Sequence, residues 1–245
     1  MRIIRIPESG DRMSPFFSII IPVFNEMDQI NQVIRHLSVL SAGYDFEIIV
    51  VDGNPAGNTI QAIDEIGWRM PVKKLLSPKG RGIQMNTGAA HADGKILLFL
   101  HADTILNPNA FQDIESVIRS EKEVVGGAFD LGIDSPKLIF RIIERVSSFR
   151  SRITRIPYGD QAIFMKSGYF HKIGCFSTFP IMEDVDLMLR VGRSGGKIRI
   201  IPEKVRTSSR RWEKEGVLFC TFRNWLLIML FFCGVSPAWL AKYYT

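Results

Sequence analysis

The chain has 245 residues, enough to bury a sizeable core and suited to one large α/β domain with or without an appendage, which argues against two independent domains. Its 31 Lys+Arg against 25 Asp+Glu give a formal charge of +6, pointing to anionic partners (nucleotide phosphates, an acidic membrane surface or nucleic acid) without choosing among them. Three widely spaced cysteines, Cys175, Cys220 and Cys233, form no C-x-x-C pair, so they argue against a disulfide framework or a zinc site and for reduced thiols in the cytoplasm.

The opening stretch "MRIIRIPESGDRMSPFF" starts basic but has no long apolar core and no small-residue cleavage site, so no signal peptide is expected. From Phe17 short apolar runs alternate with amphipathic stretches: "FSIIIPV", "DQINQVIRHLSVL", "FEIIVVD", "NTIQAIDEIGWRM". This is the β-α-β-α pattern of a Rossmann-like, mostly parallel sheet flanked by helices. It continues through "VKKLL", a helix-like "RGIQMNTGAAHA", a strand "KILLFL" and the helix "NAFQDIESVIRS", entered through Asn107 and Pro108. Residues 16–120 read as one half on this basis.

Beyond Ser120 the rhythm changes. "EVVGGAFDLGID" and "YGDQAIFMK" are expected as strands separated by the arginine-rich "KLIFRIIERVSSFRSRITR", followed by a helix from Met182 to about Arg193 and a strand "KIRIIP". Residues 121–215 thus form a mixed second half. The tail, 216–245, differs in composition: "NWLLIMLFFCGVSPAWLA" carries no charge and sits at the lower limit for a spanning helix, with Gly234 and Pro237 interrupting it. A membrane span, an interfacial helix and a buried or dimer-forming helix all fit such a tail. Its tryptophans and nearby basic residues favour the interface.

Three apolar strands end in polar groups: "SIIIPVFNE" in Asn25 and Glu26, "EIIVVDGN" in Asp52, and "ILLFLHADT" in His101 and Asp103. In an open parallel sheet these carboxyl ends share one edge, where such sheets bind ligands. Asp52 taken alone is equally well read as a helix cap or Asx-turn. In "SPKGRGIQMNTGAA" the glycines allow close backbone approach and Arg81 suits a phosphate, although the G-x-G-x-x-G order is absent and helix packing explains Gly88 as well. In "FPIMEDVDLMLRVGRSGG" Val185, Met188 and Leu189 make an apolar stripe, and Asp186 can pair with Arg190 one turn on. Glu183 and Asp184 in the first turn are more acid than capping needs.

Together "SIIIPVFNE", "EIIVVDGN", "GRGIQMNTGAA", "LLFLHADT", "YGDQAIFMK" and "MEDVDLMLR", spread over Phe17 to Arg211, resemble the family 2 glycosyltransferases of the GT-A fold. "LHADT" and "GDQAIF" further resemble a small bacterial subgroup associated with arsenosugar biosynthesis, which by itself implies little about substrate. The resemblance implies a GT-A domain over 1–215, with a nucleotide-binding half, an acceptor half and an apolar helical tail. It implies nucleotide contacts from Pro22, Asn25, Glu26, Asp52, Arg81, Ala102 and Arg211. Asp103 stands at the second acid of the family's D-x-D motif and His101 at the first, implying a divalent cation, Mn²⁺ or Mg²⁺, on the donor diphosphate. An imidazole there biases the site towards Mn²⁺ or is itself structural. Glu183 and Asp184 match the E-D motif, with Asp184 as catalytic base, and Asp160 orients acceptor or donor sugar or simply makes a turn.

Such chemistry transfers one sugar with inversion from a nucleotide donor, UDP-sugar being favoured as the commonest donor of the family, to a small-molecule or lipid-linked acceptor. "SSRRW" replaces the Gln-x-x-Arg-Trp of processive relatives and argues against polymer synthesis. Arg141, Arg145, Arg150, Arg152 and Arg155 read either as a solvated helix face or, with the tail, as a surface towards anionic lipid at the inner face of the cell membrane. No aromatic-basic stacking motif favours nucleic acid. A nucleotidyltransferase would need a basic glycine-rich loop where "PVFNEMDQ" is acidic. A degenerate nucleotide-sugar binder is the non-enzymatic alternative.

Overall fold

The computed structural model describes residues 16–40, 43–64, 68 and 70–244; the stretch on which a signal peptide was weighed lies almost wholly outside them. In chain order the first half comprises β1 (Phe17–Val23), α1 (Met27–Leu40), β2 (Phe46–Asp52), α2 (Asn58–Gln61), β3 (Val72–Leu76), α3 (Arg81–Ala90), β4 (Ile96–Phe99), β5 (Thr104–Ile105) and α4 (Ala110–Ser120). The second half has β6 (Val124–Asp134), α5 (Leu138–Thr154), a 3-10 turn over Gly159–Gln161, β7 (Phe164–Lys166), α6 (Ser167–Lys172), α7 (Glu183–Arg193) and β8 (Lys197–Ser208). Three further helices close the chain: α8 (Arg210–Glu215), α9 (Val217–Phe232) and α10 (Pro237–Leu240).

One eight-stranded sheet runs β3-β2-β1-β4-β7-β6-β8-β5. The four strands from β3 to β4 are parallel, as the alternating pattern predicts, and every residue of β2 and β4 is buried. The sheet as a whole is mixed: β7 enters antiparallel between β4 and β6, and β5 lies antiparallel on β8, while β6 and β8 are parallel. The strand expected across "YGDQAIFMK" shrinks to Phe164–Lys166, because Ala162 takes a left-handed φ of 49° after the 3-10 turn. The helix expected in "NTIQAIDEIGWRM" is seen over Asn58–Gln61, with 65–67 and 69 outside the described residues.

Helix faces follow their apolar spacing. Ile30, Val33, Ile34 and Leu37 of α1 are buried against β1 and β2, and Phe111 and Ile114 of α4 close the same core. Each such fully buried side chain contributes about 1.5–3 kcal/mol. On α7 the buried stripe is Val185, Leu187, Met188 and Val191, with Leu189 only half-buried. Gly88 lets α3 lie flat on the sheet, since a Cβ there would stand 2.5 Å from Ile20 Cγ2. Packing therefore accounts for that glycine without a ligand. Among the described residues no helix is long and apolar enough to cross a membrane. All three cysteines are free thiols.

Candidate active site

The parallel strands β1, β2 and β4 deliver their polar ends to one edge, and the groups there meet different fates. Asp52 is fully buried; its Oδ1 accepts the Asn54 amide at 2.9 Å and its Oδ2 accepts the amides of Thr59 at 2.9 Å and Ile60 at 3.4 Å. The carboxylate thus pins the start of α2. Asn25 adopts a left-handed φ of 59° and its Oδ1 accepts from Asn54 Nδ2 at 2.7 Å, while the Glu26 amide donates to Thr59 Oγ1. Pro22 stays within β1 opposite Val51, and Ala102 is buried in the core. Gln84 of α3 closes the top of the sheet by donating to the carbonyls of Val23 and Val51.

A few residues away, a cavity of about 290 Å³ gathers Arg81, His101, Asp103, Asp160, Asp184 and Arg211. Arg81 opens α3, and Gly82 allows that helix to approach the 176–183 segment, where a Cβ would meet Ser177 O at 2.5 Å. Arg81 Nη1 consequently reaches Glu183 Oε1 at 3.4 Å. Burial works against the Arg81 charge, but Glu183, Tyr244 and Asp184 outweigh it and hold the guanidinium above its usual value. Glu183 is itself buried, so its carboxyl is pushed up to about 7 despite Arg81, with Asp184 adding to the rise, and its Oε2 has no partner. It stands behind Arg81 and outside the cavity wall.

Met182 turns left-handed, with φ of 67°, immediately before α7 and so sets the direction in which that helix starts. Asp184 in the first turn accepts the Gly159 amide on Oδ2 at 2.7 Å and the Val185 amide on Oδ1 at 2.8 Å. Asp160, next to that glycine, is pushed up to about 6 by burial and by Asp184, and its Oδ1 is buried without a partner. His101 abuts Gly159: a Cβ there would stand 3.1 Å from His101 Nε2, which has no partner. Burial and then Arg81 push the imidazole down to about 3, so it is neutral. Asp103 is raised by burial, with Arg210 acting against the rise, and Asp103 in turn adds to the burial that raises Glu26.

The chemistry of this donor set fits a cation only in part. Among the described residues no group of three or more His, Cys, Asp or Glu side chains is arranged to hold a metal. A neutral imidazole with an unused nitrogen and the Asp103 carboxylate line the same cavity and would offer two ligands to a Mn²⁺ or Mg²⁺ ion completed by diphosphate oxygens and water. The residues fit a cation that arrives with its nucleotide.

Among other polar wall residues, Tyr158 opens the YGDQAIFMK stretch, while Thr207, Asn224 and Tyr244 carry no motif signal. Tyr158, Thr207, Asn224 and Tyr244 come from the second half and the tail. Tyr158 lies under Arg150, 3.5 Å from ring centroid to guanidinium, and burial pushes its phenol up to about 12. Arg211 Nη2 donates to the Tyr244 carbonyl at 2.6 Å and the guanidinium lies 4.0 Å over the Tyr244 ring. Asn224 was visible in principle as a polar residue inside the apolar tail. Asp186 pairs with Arg190 at 2.9 Å and accepts Ser177 Oγ, the plain alternative the spacing offered.

The mixed sheet, with its cavity of carboxylates and arginines at the edge of the parallel strands, has counterparts among glycosyltransferases. The model of the family "Glycosyl transferase family 2" matches residues 18–181, more than half of the chain. The chain belongs to that family. It is 25% identical over 232 residues to the probable glycosyltransferase YdaM of Bacillus subtilis, covering 86% of this chain and 54% of that protein. Among solved structures it resembles the mannosyltransferase PcManGT of Pyrobaculum calidifontis in complex with GDP-Man and Mn²⁺, with TM-score 0.63, 20% identity, and 80% of this chain and 57% of that one covered. It also resembles S. aureus TarS 1-349 in complex with UDP, with TM-score 0.61, 16% identity, and 78% and 60% covered. At those identities the likeness establishes the shared GT-A fold, and the chain spans little more than half the length of each of these relatives.

Proposed function

We propose that the protein is an inverting, metal-assisted glycosyltransferase that moves a single sugar from a nucleoside diphosphate donor to an acceptor oxygen. Residues 16–120 form the nucleotide half, 121–215 the acceptor half and 216–245 a tail that packs beside the cavity. The observation that carries this reading is the meeting of two arginines, Arg81 and Arg211, with the carboxylates Asp160 and Asp184 in one cavity. The LHADT and GDQAIF stretches suggest the subgroup associated with arsenosugar biosynthesis, and the cysteine content suggests the cytoplasmic side of a membrane. UDP is the favoured donor nucleotide, in keeping with the complexes of TarS.

The nucleotide would lie over the carboxyl ends of β1 and β2, against Pro22, Asn25, Glu26, Asp52 and Ala102. Asp52, fully buried, would act there by holding the turn from Asn54 to Ile60 against which the base or ribose lies. The diphosphate then falls between Arg81 and Arg211, whose charges oppose the negative charge that builds as the sugar leaves. Asp103 and His101 would hold the cation, which when bound supplies further neutralisation of that leaving group.

Asp184 Oδ2, held by the Gly159 amide, retains a lone pair for the acceptor hydroxyl and takes its proton as the new bond from oxygen to the anomeric carbon forms. The bond from the anomeric carbon to the phosphate oxygen breaks on the opposite side and its electron pair leaves with the diphosphate. One displacement inverts the centre. Asp160 Oδ1, without a partner of its own, orients the acceptor. Glu183 positions Arg81.

A thermal-shift screen against UDP, GDP, CDP and dTDP, each with and without Mn²⁺, tests this reading through ligand stabilisation of the folded state. One nucleotide should raise Tm in a metal-dependent way, and Asp103→Ala should abolish the metal dependence. No shift with any nucleotide would overturn the proposal, and a shift indifferent to metal and to Asp103→Ala would sink the metal assignment.

A further inference from the structure

A second cavity of about 270 Å³ adjoins the catalytic one, between α5 and α9. Tyr158, Asp160, Trp212 and Asn224 belong to both walls. At this junction two buried oxygens, Asp160 Oδ1 and Asn224 Oδ1, have no hydrogen-bond partner. Beyond it the groove is almost wholly apolar, with Ile139, Ile143 and Val146 on one side and Val217, Leu218 and Trp225 on the other. A polar head fits one end and a hydrocarbon chain the rest.

The exposed faces of the same two helices, which include Ile142, Val146, Leu218 and Trp225 at the open mouth of the groove, point to where such a molecule comes from. Leu138, Ile142, Val146, Phe149 and Ile153 of α5 are exposed at steps of three and four, and so are Leu218, Phe222, Trp225, Met229 and Phe232 of α9. Each set lines one helical face. Contiguous exposed apolar surface of this kind marks an interaction site. Arg145 stands on α5, where Arg141 and Arg152 pair with Glu144 and Asp130 and Arg150 stacks on Tyr158, and Arg223 of α9 pairs with Glu215; the single acid of the two helices, Glu144, is buried. Apolar stripes with arginines along them, and no exposed carboxylate on either helix, match the interfacial zone of an anionic bilayer. The wall that the groove shares with the catalytic cavity favours a substrate chain over a protein partner.

Building on the sugar-transfer reading, we infer that the α5–α9 groove holds the hydrocarbon chain of a lipid acceptor, drawn from an anionic bilayer on which the two helix faces rest, with its nucleophilic oxygen at Asp160 and Asp184. The sugar is added at the membrane surface.

Three measurements on the full chain test this. First, sedimentation with vesicles of phosphatidylcholine alone or mixed with phosphatidylglycerol should show binding to the anionic vesicles only, weakened by salt. Phe149→Ser with Phe222→Ser, exposed by 68% and 70%, should lower it about tenfold or more while leaving the nucleotide thermal shift unchanged. Second, ω-bromoundecyl phosphate should quench tryptophan fluorescence saturably through Trp212 and Trp225, be displaced by dodecyl phosphate, and fail to quench in Thr221→Phe or, with less bulk added, Thr221→Leu. Third, the nucleotide thermal shift reports separately on the catalytic cavity.

An intact nucleotide shift with no vesicle binding and no saturable quenching overturns the lipid groove and leaves sugar transfer standing. A dimer dispersed by Phe222→Ser, with no vesicle binding, assigns the face to a second copy and also overturns it. Vesicle binding without any nucleotide shift removes the reaction itself, and the acceptor role of the groove with it.

Discussion

Asp52 and Asp160 are both aspartates that follow or precede a strand at the same sheet edge, yet the protein treats them oppositely. Asp52 is fully buried and its two oxygens accept three backbone amides; Asp160 has a buried oxygen with no partner and shares its surroundings with Asp184. The contrast extends to the regions around them. In the parallel half, buried polar groups such as Glu47, Ser18 and Gln84 are fully engaged, with Ser18 Oγ donating to Glu47 at 2.6 Å and Lys73 pairing with the same carboxylate at 2.8 Å. Around the cavity, by contrast, His101 Nε2 at the end of β4, Asp160 Oδ1 in the mixed half and Asn224 Oδ1 in the tail are left without partners, as is Glu183 Oε2 behind the wall. A buried polar group without a partner costs stability and persists where something else uses it. The interior of the parallel sheet is built to last, the cavity at its edge to react.

The sharpest way to break this contrast is Asp184→Asn. Removing the base should lower kcat for sugar transfer by about 10²–10⁴-fold, while the nucleotide-induced thermal shift is kept. A comparable loss of nucleotide binding would mean that Asp184 belongs to the donor site. Asp52→Ala should act on stability, because it strands the amides of Thr59 and Asn54: a loss of about 3 kcal/mol, read as a lower urea midpoint at unchanged m. Asp160→Ala should not lower the midpoint and, above about pH 6, should raise it, and equal losses at the two aspartates would erase the contrast between them.

The smallest effect is the most diagnostic of environment. Burial and Asp184 push the Asp160 carboxyl up to about 6 from its ordinary 3.8, so the native state holds that proton more tightly than the unfolded chain does. The stability this contributes is present below about pH 4 and is lost as pH rises to about 6. Asp160→Asn removes the group, so the difference in Tm, variant minus wild type, should climb across that window and level off above it. A flat difference would place Asp160 in ordinary solvent.

Much of the fold was legible because it rests on local periodicity. The runs ending at Val23, Asp52 and Phe99 are strands because β-branched and apolar residues fill them without interruption, and the 3.6-residue stripe of α1 is carried by neighbours in the chain. The polar ends of those strands were likewise visible, and so were Arg81 and the acidic first turn of α7. The capping role seen for Asp52 was one of two readings the sequence left equal. It was resolved by where the amides of residues 54–60 turn back, which no spacing encodes.

The α5–α9 groove was legible only as composition: an arginine-rich helix and an apolar tail, without their juxtaposition. Charge, class of fold, strand ends and helix faces were determined by the sequence itself, since each depends on residues within a few positions of one another. The tertiary structure alone decided that Asp160, Asp184, Arg81 and Asn224 share a cavity, that Glu183 stands behind Arg81, and which polar atoms remain unpaired. The reason is physical: a hydrogen bond or its absence is settled by partners that can be a hundred residues away, as Arg81 and Glu183 are, and chain connectivity constrains such pairs only through the complete packing of the sheet.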